Sequence, residues 1–155
     1  MNSIQLLHVA NLFFAGILAG MEIAIHYGVQ PATRAISDPS QFQLRRALVH
    51  RLRVLVPSIF APAALTGIAV AILDGAAPGL WLRLAGLLFV AVWIAIRVVG
   101  TVPINSATLT WNAAAPPGDW KAQVNHAERF HILGVWAAVM AFATFLAAAV
   151  LTIGK

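Results

Sequence analysis

Between Ile4 and Val29 the chain is almost wholly apolar, and the late exceptions, Glu22 and His26, stand four residues apart. A helix rises about 1.5 Å per residue and a bilayer's hydrocarbon core is about 30 Å thick, so roughly 20 apolar residues suffice to cross it. The same pattern recurs down the chain and predicts four spans. The first runs from about Ser3 to Gln30 and is stopped by Pro31. The second runs from about Leu48 to Leu73 and is closed by Asp74-Gly75. The third starts near Leu80 after Pro78-Gly79, passes Arg97 and continues toward Trp111, and the fourth covers about Ala122 to Ile153. Residues 31–46 form the longest predicted loop, and residues 114–118 a Pro-rich turn. Pro57 and Pro62 in the second span and Pro103 in the third each remove a backbone donor and invite a kink. No internal repeat or disordered tail interrupts this reading. The expected fold is all-α, a four-transmembrane-helix bundle, with residues 1–155 as a single domain.

Composition strengthens the membrane assignment. Hydrophobic residues make up 61% and charged residues 10% of the chain, with a mean hydropathy of +0.85, well outside the soluble globular range. The lack of cysteine excludes disulfides and thiolate ligands or nucleophiles. The first span has no basic leader and no A-x-A site after a short apolar core, so it reads as a retained helix. The net charge of +5 makes no long basic run, which argues against nucleic acid as a partner. Instead, Arg34, Arg45, Arg46, Arg51, Arg53, Arg97, Lys121 and Arg129 flank the first-to-second and third-to-fourth connections, against Arg83 and Lys155 at the other face. Eight against two predicts cytoplasmic connections and both termini outside the cytoplasm, in a bacterial inner membrane. Trp81, Trp93, Trp111 and Trp120 fall mostly near the expected interfaces.

At 100° per residue, His8, Asn11, Glu22 and His26 share a stripe about 60° wide on the first helix, with Ala15 and Ala19 close by. His8 lies near the outer face, too far along to join a site with His26, and reads as a packing or interface residue. His50, Arg51 and Arg53 open helix two, Asn105 lies on helix three, and Asn125, His126 and Arg129 open helix four, all toward the same end. Convergence from four helices is what a bundle-core site requires. Glu22, His26, His50 and His126 would offer one carboxylate and three imidazoles, a donor set suited to iron, copper or zinc. Arg51, Arg53, Asn105, Asn125 and Arg129 would orient ligands or hold an oxyanion. Haem held by His50 or His26 is a second option, and chemistry without any cofactor a third. Blander readings stand beside these. Glu22 and His26 could form a buried packing pair, His50 with Arg46 and Arg53 a lipid-headgroup patch, and Arg129 a snorkelling anchor. His131, rotated about 140° from His126, is expected at the interface.

Val102-Pro103-Ile104-Asn105, followed about twenty residues later by Asn125-His126-Ala127-Glu128-Arg129, resembles the paired signature of small four-helix anthrone-oxygenase-like membrane proteins. Gly16 and Gly20 in a first helix ending near Pro31, and the basic His50-Arg51 opening of helix two, add to the resemblance, which spans essentially the whole chain. It implies oxidation of an anthrone to an anthraquinone, with roles for Asn105, Asn125, Arg129 and, through the helix-two opening, Arg51. Glu22 and His26 are additional to that pattern. The expected function is a membrane oxidoreductase or oxygenase. Its small lipophilic aromatic substrate would enter from the bilayer lipid and sit among Phe13, Phe14, Phe60 and Trp136. The alternatives are a non-enzymatic cofactor-carrying or small-solute transport protein, and a haem-dependent isomerase of small epoxides. The apolar stretch between Asn11 and Glu22 speaks against a hydrated path across the membrane. Ala137, Ala138, Ala141 and Ala148 on helix four suggest close approach to a second copy in a homo-oligomer.

Overall fold

The structure, a computed structural model, describes residues 2–112 and 115–153. Ala114 of the expected Pro-rich turn, and Lys155 of the charge comparison, lie outside the described residues. Four helices are long and apolar enough to cross a membrane: α1 (Ser3–Arg34), α2 (Asp38–Leu73), α3 (Leu80–Thr110) and α4 (Trp120–Ile153). They run up and down in sequence order, and no strand occurs among the described residues. One end of the bundle carries the α1–α2 and α3–α4 connections and is called the basic end. The other, the terminal end, carries the start of α1 and the α2–α3 turn.

Local chemistry explains where the helices begin. Asn2 and Gln5 cap α1 reciprocally, with Gln5 N–H donating to Asn2 Oδ1 at 2.8 Å and Asn2 N–H to Gln5 Oε1 at 3.0 Å. The tight α2–α3 turn uses Gly75 and Gly79, both at positive φ. At Gly79 a Cβ would also meet the Ala148 carbonyl at 3.0 Å.

The long loop expected over residues 31–46 is absent. α1 passes through Pro31 to Arg34, and α2 starts at Asp38, about ten residues before the expected Leu48. The start signal is Ser37-Asp38-Pro39: an extended N-cap residue, an acid in the first turn, and a proline whose missing N–H costs nothing there. The early turns are held by Phe42, which stacks on Trp111 at 6.2 Å and meets Trp120 edge-on at 5.9 Å.

Two apolar layers form the core. One contains Ala15, Val90, Ala141 and Phe145, the other Leu18, Ala19, Trp93, Ala137 and Ala138, with Phe60 of α2 packed against both. The alanines of α4 are spent inside the monomer: Ala137, Ala138, Ala141 and Ala148 are buried against α1 and α3, so they offer no surface for a second copy. α3 receives the α4 rings of Phe145 and Phe130 against Gly86 and Gly100. By contrast Val54, Leu65, Ile72 and Leu88 are each more than 60% exposed, the outward apolar surface that a lipid environment accepts.

Candidate functional site

Each odd-numbered helix changes its winding near the basic end. Ala24–Val29 in α1 and Arg97–Thr101 in α3 are π-helical, with Gln30 N–H donating to Ile25 O and Val102 N–H to Arg97 O. Both segments stop two residues before a proline, Pro31 and Pro103. A proline ring clashes with the carbonyl four residues back and gives it no N–H, and the wider π turn relieves that clash. His26, Arg97 and Thr101 all come from π turns, and Glu22 sits just before one.

Between the four helices at this level lies a cavity of about 860 Å³ that continues toward the basic end. Its deep end is walled by Phe60 and Trp93, stacked at 4.9 Å between centroids and 29° between planes. Arg97 lies beside Trp93, its guanidinium carbon 5.5 Å from the ring centroid, a cation–π contact. Its Nη2 donates to both oxygens of Glu22, which is fully buried. His131 of α4 brings Nδ1 to 3.5 Å from Glu22 Oε2. Further out, Arg45 Nη2 donates to Asn105 Oδ1 at 3.0 Å. At the mouth, Arg34 pairs with Glu128, and Lys121 with Asp38 at 2.7 Å.

Four side-chain atoms in this wall are buried without a hydrogen-bond partner: Trp93 Nε1, Arg97 Nε, Thr101 Oγ1 and His131 Nε2. Each such group costs about 1–3 kcal/mol if nothing satisfies it. The first two are donors and Thr101 both donor and acceptor. If His131 turns Nδ1–H toward Glu22, its Nε2 is an acceptor.

The residues expected to bind metal are not gathered. Glu22 is paired with Arg97, and His26 is half-buried with Nδ1 unpartnered, its ring 4.7 Å from Tyr27 and 5.5 Å from His131. His50 and His126 are exposed and outside the cavity wall. Among the described residues no three His, Cys, Asp or Glu stand close enough to share a metal ion, so the Glu22, His26, His50, His126 set does not fit one. Neither His50 nor His26, the expected haem ligands, lines the cavity. Asn105 does line it, and Asn125 stands exposed at its mouth. Arg51 and Arg129 are exposed and outside the cavity wall. Phe13 and Trp136 are likewise more than half exposed, which leaves Phe60 from the expected aromatic set in the wall.

Arg97, expected as a topology signal, and His131 and Trp93, expected at or near an interface, instead build the deep end. The cue for Arg97 was its place seventeen residues into a helix: a lone cation at that depth demands a counter-ion, and Glu22 is the acid at its level. The cue for His131 was its spacing from the buried Ala127, Val135 and Ala138, one helical face.

The terminal end has its own cluster. Asp74 Oδ2 accepts from Arg83 Nη2 at 2.8 Å and lies 2.7 Å from His8 Nε2, while Arg83 also donates to Thr152 Oγ1 at 2.6 Å. The Asn11 side chain, between the two ends, donates to the Ala63 carbonyl at 3.0 Å. No family model, curated protein or solved structure matches this chain.

Proposed function

We propose that the protein is a membrane-embedded oxygenase that acts on a small lipophilic aromatic ketone or phenol of the anthrone class, without a metal. The observation that carries this reading is the set of unpartnered atoms at the deep end. Arg97 Nε–H, Trp93 Nε1–H, the Thr101 hydroxyl and His131 Nε2 are all buried without a partner, on four residues that line the same cavity. A flat aromatic body suits the Phe60–Trp93 wall, and its carbonyl oxygen suits the donors. The Glu22–His131 arrangement follows the orienter-and-base logic of general base catalysis, with Glu22 holding the tautomer and the buried Nε2 left without a partner on a residue of the cavity wall. The 3.5 Å approach is long for a hydrogen bond, as such contacts often are before substrate arrives.

In the proposed sequence His131 Nε2 removes a proton from the methylene beside the rings. The negative charge moves to the carbonyl oxygen, where Arg97 and Thr101 stabilise it. The enolate carbon then bonds to dioxygen, and the peroxide takes the proton back from His131. Loss of the second C–H proton with O–O cleavage gives the quinone carbonyl and one water, so one dioxygen is consumed per substrate. The resemblance of the Asn105 and Arg129 motifs to anthrone oxygenases supports the substrate class, although Arg129 is not needed at this site.

The two apolar core layers between Asn11 and Glu22 favour an enzyme over a transport path. The excess of arginine at the basic end favours a cytoplasmic mouth and termini outside the cytoplasm of a bacterial inner membrane. The test is oxygen uptake and quinone absorbance with anthrone and the purified protein in lipid nanodiscs. One dioxygen per quinone is expected, with a turnover rate that falls at least a hundredfold in folded His131→Ala and Arg97→Gln variants. Turnover equal to the parent in both variants would overturn the reading.

A further inference from the structure

Among the described residues most charges are already spoken for. Arg34, Arg83, Arg97 and Lys121 are each bound to an acid, and Arg45 is bonded to Asn105. Among the described residues Arg46, Arg51, Arg53 and Arg129 have neither an ion pair nor a hydrogen bond. Three of those four fall in one place. Arg46, Arg51 and Arg53 line, with Gln43, His50 and Leu109, a groove of about 640 Å³ on the outer side of α2 that contains no acid. Arg46, His50 and Arg53 recur at the spacing of one helix face.

The depth of this groove is set by the sequence. Residues 54–73 carry no charge, and these twenty span about 30 Å of helix, the thickness of the hydrocarbon core. With α2 upright, Arg53 then stands at the hydrocarbon boundary and Arg46 about 10 Å beyond it, so the headgroup layer, about 5–7 Å thick, falls between them at the height of His50. Guanidinium groups present a planar fork of donors that matches phosphate oxygens in pairs. Arg53 and Leu109 also belong to the wall of the large cavity, so groove and cavity share a sill between α2 and α3.

We propose that this groove is a binding site for an anionic phospholipid, with its phosphodiester held by Arg46, His50 and Arg53 and its acyl chains running past Arg53 along the exposed Val54 and Leu55. The bound lipid neutralises the unpaired guanidiniums and forms part of the lateral wall of the cavity. The proposal stands independently of the chemistry assigned to the deep end.

Native mass spectrometry of the delipidated protein tests it, with titration of phosphatidylglycerol and, separately, phosphatidylcholine. A saturable phosphatidylglycerol adduct is expected, with no saturable phosphatidylcholine adduct at the same concentrations. Removal of one basic side chain near a membrane surface weakens such binding about fivefold, so Arg46→Gln/Arg53→Gln should weaken it about 25-fold. Arg129→Gln, the fourth unpaired arginine, should leave it within twofold. Equal binding of both lipids, an unchanged double variant, or displacement by millimolar inorganic phosphate would overturn the lipid assignment. A phosphatidylglycerol with a photoreactive headgroup gives a readout on the parent protein alone. Cross-links between Gln43 and Arg53 support the site, and cross-links confined to other segments refute it.

Discussion

Removing one member of the Glu22–Arg97 pair should unfold the protein far more readily than removing both. Glu22 is fully buried and the Arg97 side chain is 12% exposed, so each charge depends chiefly on the other. At an effective dielectric near 20 and a contact distance of about 3 Å, the attraction is roughly 5 kcal/mol. Loss of one partner from a buried pair costs about 3–5 kcal/mol, because the other charge is left stranded. Glu22→Leu strands a guanidinium that keeps its contact with the Trp93 ring and its edge on the cavity, and should fall within that range. Arg97→Met should fall near the lower value, since His131, 3.5 Å from the carboxylate, supplies a second partner. The double variant Glu22→Leu/Arg97→Met replaces the pair with apolar volume and should lose less than either single change. Reversible unfolding in mixed detergent micelles, followed by far-ultraviolet circular dichroism, gives the four free energies. If the two single losses simply add in the double variant, the pair is not the buried unit described here.

Gly100→Ala should destabilise by about 1–3 kcal/mol in the same assay, because its new methyl collides with the Phe130 ring. Gly134→Ala, whose methyl would sit at an ordinary 3.7 Å from Trp93, should be neutral or gain up to about 1 kcal/mol. Asp74→Asn leaves the buried Arg83 without a counter-ion and should cost about 3 kcal/mol, yet the folded variant should oxidise substrate at the parent rate. A periplasmic reporter fused after Lys155 should be active and a cytoplasmic one silent; the reverse would invert the proposed topology.

The four spans could be read because apolar runs of bilayer length leave few other structures open to the backbone. The clustering of polar groups at one end was legible for the same reason: an ionisable residue in such a run stands out. What escaped was partner choice. Glu22 and His26 share a face of α1, but the carboxylate pairs with a cation on another helix, and spacing along one helix cannot report that. His50 and His126 lie at the right height yet on outward faces, and helix rotation about its axis is set by packing rather than hydropathy. The early start of α2 was written in Ser37-Asp38-Pro39, but the polar residues that follow mimic a loop until Phe42 finds Trp111 and Trp120. The π turns were visible only as Pro31 and Pro103, which looked like a stop and a kink.

The two apolar layers between Asn11 and Glu22 have an electrical consequence. They occupy about eleven residues of α1, roughly 16 Å of rise. A membrane potential falls mainly where the medium is dry, and here the dry part is this septum of alanine, leucine, phenylalanine and tryptophan. The cavity, continuous with the basic end, then sits close to the potential of the compartment it opens to. Moving one charge across the whole membrane takes about 2.3 kcal/mol per 100 mV, but a proton that travels between His131 and the mouth crosses little of that drop. Proton exchange at the site should therefore be almost insensitive to the energised state of the membrane, and turnover in proteoliposomes should not change when a potential of either sign is imposed.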